Sequence, residues 1–125
     1  MTEELEFTLT FEERENYLYA FVTGPKDSFA VSRAFWTEIQ SKATKLGIRK
    51  VMVEEDFPNQ LSTMEMFDLG EILAKKFGFA VKIAFVDKSL LNTDLNKFGE
   101  NVAVNRGFNG RVFNTYEVAE KWLRE

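Results

Sequence analysis

Residues able to act as nucleophiles or as acids and bases near neutral pH are scarce in this chain, and the missing types narrow the field first. Its 125 residues include no His and no Cys. That removes the commonest general base, the Ser-His-Asp triad, the thiolate nucleophile, disulfides and the usual ligands of zinc. Carboxylate and lysine chemistry remains. The densest carboxylate run is Glu54-Glu55-Asp56, directly after the apolar stretch Val51-Met52-Val53. With Asp87, at the end of a second apolar stretch, these oxygens are of the type that suits Mg2+. Acidic residues at strand exits are more often simply solvated, so no metal or cofactor is expected, and no catalytic residue is assigned.

The same run leads into Phe57-Pro58-Asn59-Gln60 and then Ser62-Thr63-Met64-Glu65. Loops leaving the carboxyl ends of parallel strands are where ligands and partners dock. Glu54, Glu55, Asp56, Phe57 and Asn59 are therefore the candidate recognition loop. Ser62 followed three residues later by Glu65 is a capping box, which by itself accounts for the serine. A phosphate on Ser62 or Thr63 would gain from helix N-terminal amides and suffer from the three carboxylates. Phe29, Phe57, Met64, Met66 and Phe67 fall near helix openings. They are candidates to line an apolar cleft or a dimer face, against the commoner role of such residues as core.

These residues must be positioned by an alternation of strands and helices. Leu5, Phe7, Leu9 and Phe11 alternate with polar residues, predicting a half-buried strand over 5–11 and a charged turn over 12–16. Tyr17 to Val22 forms a second strand, antiparallel to the first. Asp27 or Ser28 caps a helix with Val31, Phe35, Ile39, Ala43 and Leu46 inward, stopped by Gly47. A third strand, Ile48 to Val53, leads to a helix from Ser62 to Gly78. Its inward stripe is Leu69, Ile72, Leu73 and Phe77, and Gly70 permits a close approach. Phe79 to Val86 is a fourth strand interrupted by Lys82, which must snorkel or pair. Residues 90–96 read as irregular, followed by a helix from Lys97 to Asn105, a short strand Arg111 to Phe113, and a last helix, Tyr116 to Arg124. Thr115 is that helix's expected cap, and Val118, Trp122 and Leu123 its inward residues. The order β-β-α-β-α-β-α-β-α predicts an α/β fold. It is a single domain over residues 1–125, with one mixed, mostly parallel five-stranded sheet and about four helices.

Composition agrees with a packed domain. The chain is 45% hydrophobic with 13 Phe, and 16 basic residues against 20 acidic ones give a net charge of −4 and a pI near 5.0. That sign argues against nucleic acid and helps little at an anionic membrane surface. The acidic start, Met1-Thr2-Glu3-Glu4, lacks the apolar core of a signal peptide, and no apolar run approaches the roughly 18 residues of a membrane span. A cytoplasmic protein that is not integral to a membrane is expected.

The run Phe98-Gly99-Glu100-Asn101-Val102-Ala103-Val104-Asn105-Arg106-Gly107-Phe108-Asn109-Gly110-Arg111-Val112-Phe113, followed by a final helix carrying Trp122-Leu123, adds a family likeness. With the element order, it resembles the SpoIIAA-like or STAS-like superfamily, in particular small bacterial proteins of the STAS and CRAL-TRIO-like type. The resemblance covers essentially the whole chain. It implies sequential βα units in one sheet and a non-enzymatic regulatory module that binds a protein partner. It also implies a phosphorylation switch near Ser62 and Thr63, although Asn59-Gln60-Leu61-Ser62-Thr63 stands where phospho-switched members carry an Asp-Ser-Ser-Gly-type segment. The alternative it implies is binding of a lipid or other apolar small molecule. Asn101, Asn105 and Arg106 form a second candidate recognition patch. Their structural alternative is that Asn105 and Arg106 tie the helix end to the last strand, with Gly107 as a left-handed stop. Homodimerisation is compatible with the sequence and is not fixed by it.

Overall fold

The computed structural model describes residues 5–58 and 61–125. Five strands form one sheet in sequence order: β1 (Thr8–Arg14), β2 (Tyr17–Thr23), β3 (Lys50–Asp56), β4 (Lys82–Val86) and β5 (Asn109–Phe113). β1 and β2 are antiparallel, and the remaining pairs are parallel. The helices are α1 (Phe29–Leu46), α2 (Thr63–Phe77), α3 (Thr93–Val104) and α4 (Tyr116–Arg124). The mixed, mostly parallel α/β sheet expected from the sequence is the sheet observed.

Strand order equal to chain order has a consequence for layering. Right-handed crossovers between successive neighbours place every connecting helix on the same face. α1, α2 and α3 accordingly cover one face, over a core of Leu18, Val51, Val53, Phe35, Trp36, Ile39 and Leu73. α4, which connects nothing onward, closes the other face over Tyr17, Met52, Ala84 and Val86. Strand side chains alternate between these two cores.

Several boundaries differ from the sequence reading, each for an identifiable reason. β1 runs on through Glu12 and Arg14, because the hairpin needs only Glu15 and Asn16, the latter at φ 74°. β3 starts at Lys50 and continues through Glu54, Glu55 and Asp56, since pairing with β2 persists to Thr23 opposite Asp56. The three carboxylates are strand residues, not loop residues. β4 begins only at Lys82, leaving Phe79 73% exposed. A 3₁₀ turn, Leu90–Asn92, leads straight into α3 at Thr93, a start that no side-chain cap marks. In α4, Ala119 and Leu123 are buried and Val118 is exposed, and Thr115 stands at the N-cap without a side-chain bond. Ser28, by contrast, caps α1 by accepting from the Val31 N–H at 3.1 Å.

Two contacts foreseen only in kind are now specific. Gly70 lets α2 cross α3, where a Cβ would lie 2.9 Å from Val102 Cγ1 and 3.0 Å from the Gly99 carbonyl. Lys82 escapes the sheet by donating from Nζ to the Trp122 carbonyl at 2.7 Å and the Glu125 carbonyl at 3.2 Å. An ammonium at a helix C-terminus is favoured by the helix dipole.

Candidate functional site

The carboxyl ends of β2 to β5 and the starts of all four helices share one edge of the sheet. There the strand alternation separates the acidic run. Glu54 points to the α4 face, where the Tyr19 hydroxyl donates to its Oε1 at 2.7 Å and Lys88 meets its Oε2 at 3.2 Å. Glu55 points to the opposite face, toward Asp27. Asp56 is exposed. Asp87 is buried and spoken for: it accepts from the Ser89 N–H and from the amides of Asn92 and Asn96. The Mg2+ arrangement considered from the sequence does not form. Among the described residues no group of three or more Asp, Glu, His or Cys side chains stands where it could hold a metal ion.

Asp27 and Glu55 form the pair that sequence reading missed. Asp27 is buried and accepts from the Ser28 N–H at 2.8 Å and the Ser32 hydroxyl at 2.9 Å. Its carboxyl faces that of Glu55, close enough for each to act on the other's ionisation. Burial first, then the charges of Asp27 and Asp87, pushes Glu55 well above the usual carboxylate range. Burial likewise raises Asp27, opposed by the bonds from Ser32 and Ser28. Desolvation and a like charge both favour the neutral form. The pair lines a cavity of about 60 Å³ under α2 and α3, whose wall includes Trp36, Leu69, Leu73 and Phe85 and the polar Asn96, Glu100 and Arg111. Drug-sized ligands occupy pockets of roughly 300–1,000 Å³. The cavity therefore lends no support to a lipid ligand.

Ser62 is the N-cap of α2 and both halves of its capping box are present: Ser62 Oγ accepts from the Glu65 N–H at 3.2 Å, and Glu65 Oε1 accepts from the Ser62 N–H at 2.9 Å. Ser62 and Thr63 are both exposed. Phe57 is a correction to the recognition loop: it is 7% exposed and stacks on Phe35 at 6.0 Å, so it belongs to the core. Asn59 lies outside the described residues.

The apolar set near the helix openings does not form one surface. Met66 lines the cavity, while Phe67 and Phe29 are half-buried under Arg106 and Arg33. Met64 is 68% exposed. Of the second patch, Asn101 and Asn105 are exposed, while Arg106 turns to α2. It donates to Glu71 Oε2 at 3.3 Å and lies over the Phe67 ring. The expected tie to the last strand is thus a tie to α2. Sequence reading also passed over Leu90 and Leu91, which are 75% and 94% exposed between β4 and α3. Two adjacent leucines in a stretch read as irregular were the available signal.

With this geometry the chain has the fold of STAS, or SpoIIAA-like, domains. It matches the structure of an anti-sigma factor antagonist from Mycobacterium paratuberculosis at a TM-score of 0.61, with 14% sequence identity over 95% of each chain. It also matches an uncharacterised protein with a SpoIIAA-like fold from Shewanella loihica at a TM-score of 0.51, with 17% identity over 98% of each chain. No family model matches the sequence. None of the curated proteins matches it either. Among the described residues no helix is long and apolar enough to cross a membrane.

Proposed function

We propose that this chain is a non-enzymatic regulatory module of STAS type that recognises a protein partner through the carboxyl edge of its sheet. The observation that carries this reading is the company kept on that edge. Exposed Leu90, Leu91 and Met64 share it with exposed Ser62, Thr63 and Asp56. Large apolar side chains left in water beside polar rim residues are characteristic of protein-binding surfaces. The fold likeness to an anti-sigma factor antagonist supports the same reading. Phosphorylation of Ser62 or Thr63 would add charge to this edge and weaken a partner seated across it. Asn101 and Asn105, exposed on and just beyond α3, extend the candidate surface along that helix.

A crosslinking amino acid placed at position 91 in the native host, followed by calorimetric titration of the captured protein with the purified chain, tests the proposal. A saturable complex weakened about tenfold or more by Leu91→Asp is the expected result. Turnover of a defined substrate by the purified chain would refute the non-enzymatic reading.

A further inference from the structure

The opposite end of the sheet carries the compensating charge. Arg14 closes β1, Arg49 and Lys50 stand at the start of β3, and Arg124 ends α4. These four cations line an open depression of about 530 Å³, with Tyr17 beside them. Lys82 adds a fifth positive charge, since it is the register partner of Lys50 on the adjacent strand. Like charges directly opposite one another destabilise a sheet. The Lys82 ammonium is held below the usual lysine range, by burial first and by Lys50 second.

Neutralisation from within is incomplete. Arg14 pairs with Glu12 at 3.1 Å and Arg124 with Glu120 at 3.6 Å. Lys82 meets two backbone oxygens and the Trp122 ring, at 4.5 Å from its centroid, and Arg49 and Lys50 make no ion pair among the described residues. Both guanidiniums are held in place by rings, Arg14 over Tyr19 at 4.0 Å and Arg124 over Tyr17 at 5.7 Å. The Arg14 fork is already bidentate on Glu12, through Nε at 3.2 Å and Nη2 at 3.1 Å, so Arg49 and Lys50, with Arg124 beside them, are the cations left to meet a carboxylate from outside. In a chain of net charge −4, the lining of this depression carries four cations and no carboxylate.

We propose that this depression docks an acidic peptide segment of a partner protein, on a surface separate from the carboxyl-edge site. An acidic peptide is favoured over nucleic acid because a short segment meets only the basic depression. A long polyanion would also meet the net negative remainder of the molecule within a Debye length of about 8–10 Å.

The test is an NMR titration of the full isotope-labelled chain with acetylated, amidated hexaglutamate at constant ionic strength. Saturable shifts are expected at the amides of Arg14, Arg49, Lys50 and Arg124. Arg49→Glu with Lys50→Glu is expected to raise the half-saturation concentration about tenfold or more, and Arg49→Glu alone, at an exposed side chain, to raise it by a smaller factor. Three results would overturn the proposal: shifts no larger than those from sodium chloride of equal charge, shifts centred at Glu54 to Ser62, or a half-saturation indifferent to both variants. Tighter binding of an oligonucleotide of equal charge would overturn it in favour of nucleic acid. Self-association that excludes the peptide from the depression would overturn it in favour of a second copy.

Discussion

Two side-chain pairs on the carboxyl edge show what a single residue contributes. Ser62 and Glu65 satisfy each other's backbone donors, so Ser62→Ala is expected to cost about 1 kcal/mol in denaturant unfolding. Asp27 and Glu55 behave differently, since their raised affinities for protons make folding pH-dependent. A carboxyl whose folded pKa lies above its unfolded value contributes stability that is complete below the ordinary carboxylate range. That contribution is lost as pH rises through the folded value. Unfolding free energy is therefore expected to decline from mildly acidic toward alkaline pH, and Glu55→Gln, which cannot ionise, to flatten that decline. An unchanged slope in the variant would show that Glu55 does not contribute to the pH dependence. The capping box was legible in the sequence because its partners are three residues apart. The Asp27–Glu55 pair was not, because only the packing of α1 against the end of β3 joins positions so distant in the chain. For the same reason Phe57 read as a recognition residue although Phe35 holds it in the core.

At the scale of elements, the crossing of α2 and α3 and the closure of α4 set the shape of the three-helix face and its opposite. Gly70→Ala is expected to destabilise by about 1–3 kcal/mol, because its Cβ would press on Val102 and the Gly99 carbonyl and neither helix backbone can easily yield. Lys82→Met loses the ammonium bonds to the last carbonyls of α4 but relieves the repulsion from Lys50 opposite it, so a net change within about 1 kcal/mol is expected. Thermal or denaturant unfolding measures both. Element order and helix stripes were readable from periodicity, as in α1, where Val31, Phe35, Ile39 and Ala43 are buried as expected. Boundaries were less so. Pairing with β2 overrode the unfavourable composition of Glu54-Glu55-Asp56 and carried β3 through it. The start of α3 lacked a capping side chain to announce it. In α4, Ala119 and Leu123 face the sheet and Val118 does not, a choice of face that the neighbouring positions 118 and 119 did not decide by periodicity.

For the molecule as a whole, the sheet separates its charges. Exposed leucines and the Asp27–Glu55 pair occupy the edge where strands end, and a depression lined by Arg14, Arg49, Lys50 and Arg124 lies where they begin. The alternation of β3 divides Glu54 from Glu55 between the two faces, which removes the chelating cluster suggested by their adjacency in sequence. What remains on the edge is the set of exposed leucines and hydroxyls on which the proposed recognition rests. The fold is that of STAS and SpoIIAA-like domains, and one structure it matches is an anti-sigma factor antagonist. The most direct measurement is the affinity of the partner captured at position 91 for wild-type chain and for Leu91→Asp. A folded variant that binds about tenfold or more weakly is the expected result. A folded variant that binds as tightly as wild type would contradict recognition through the carboxyl edge.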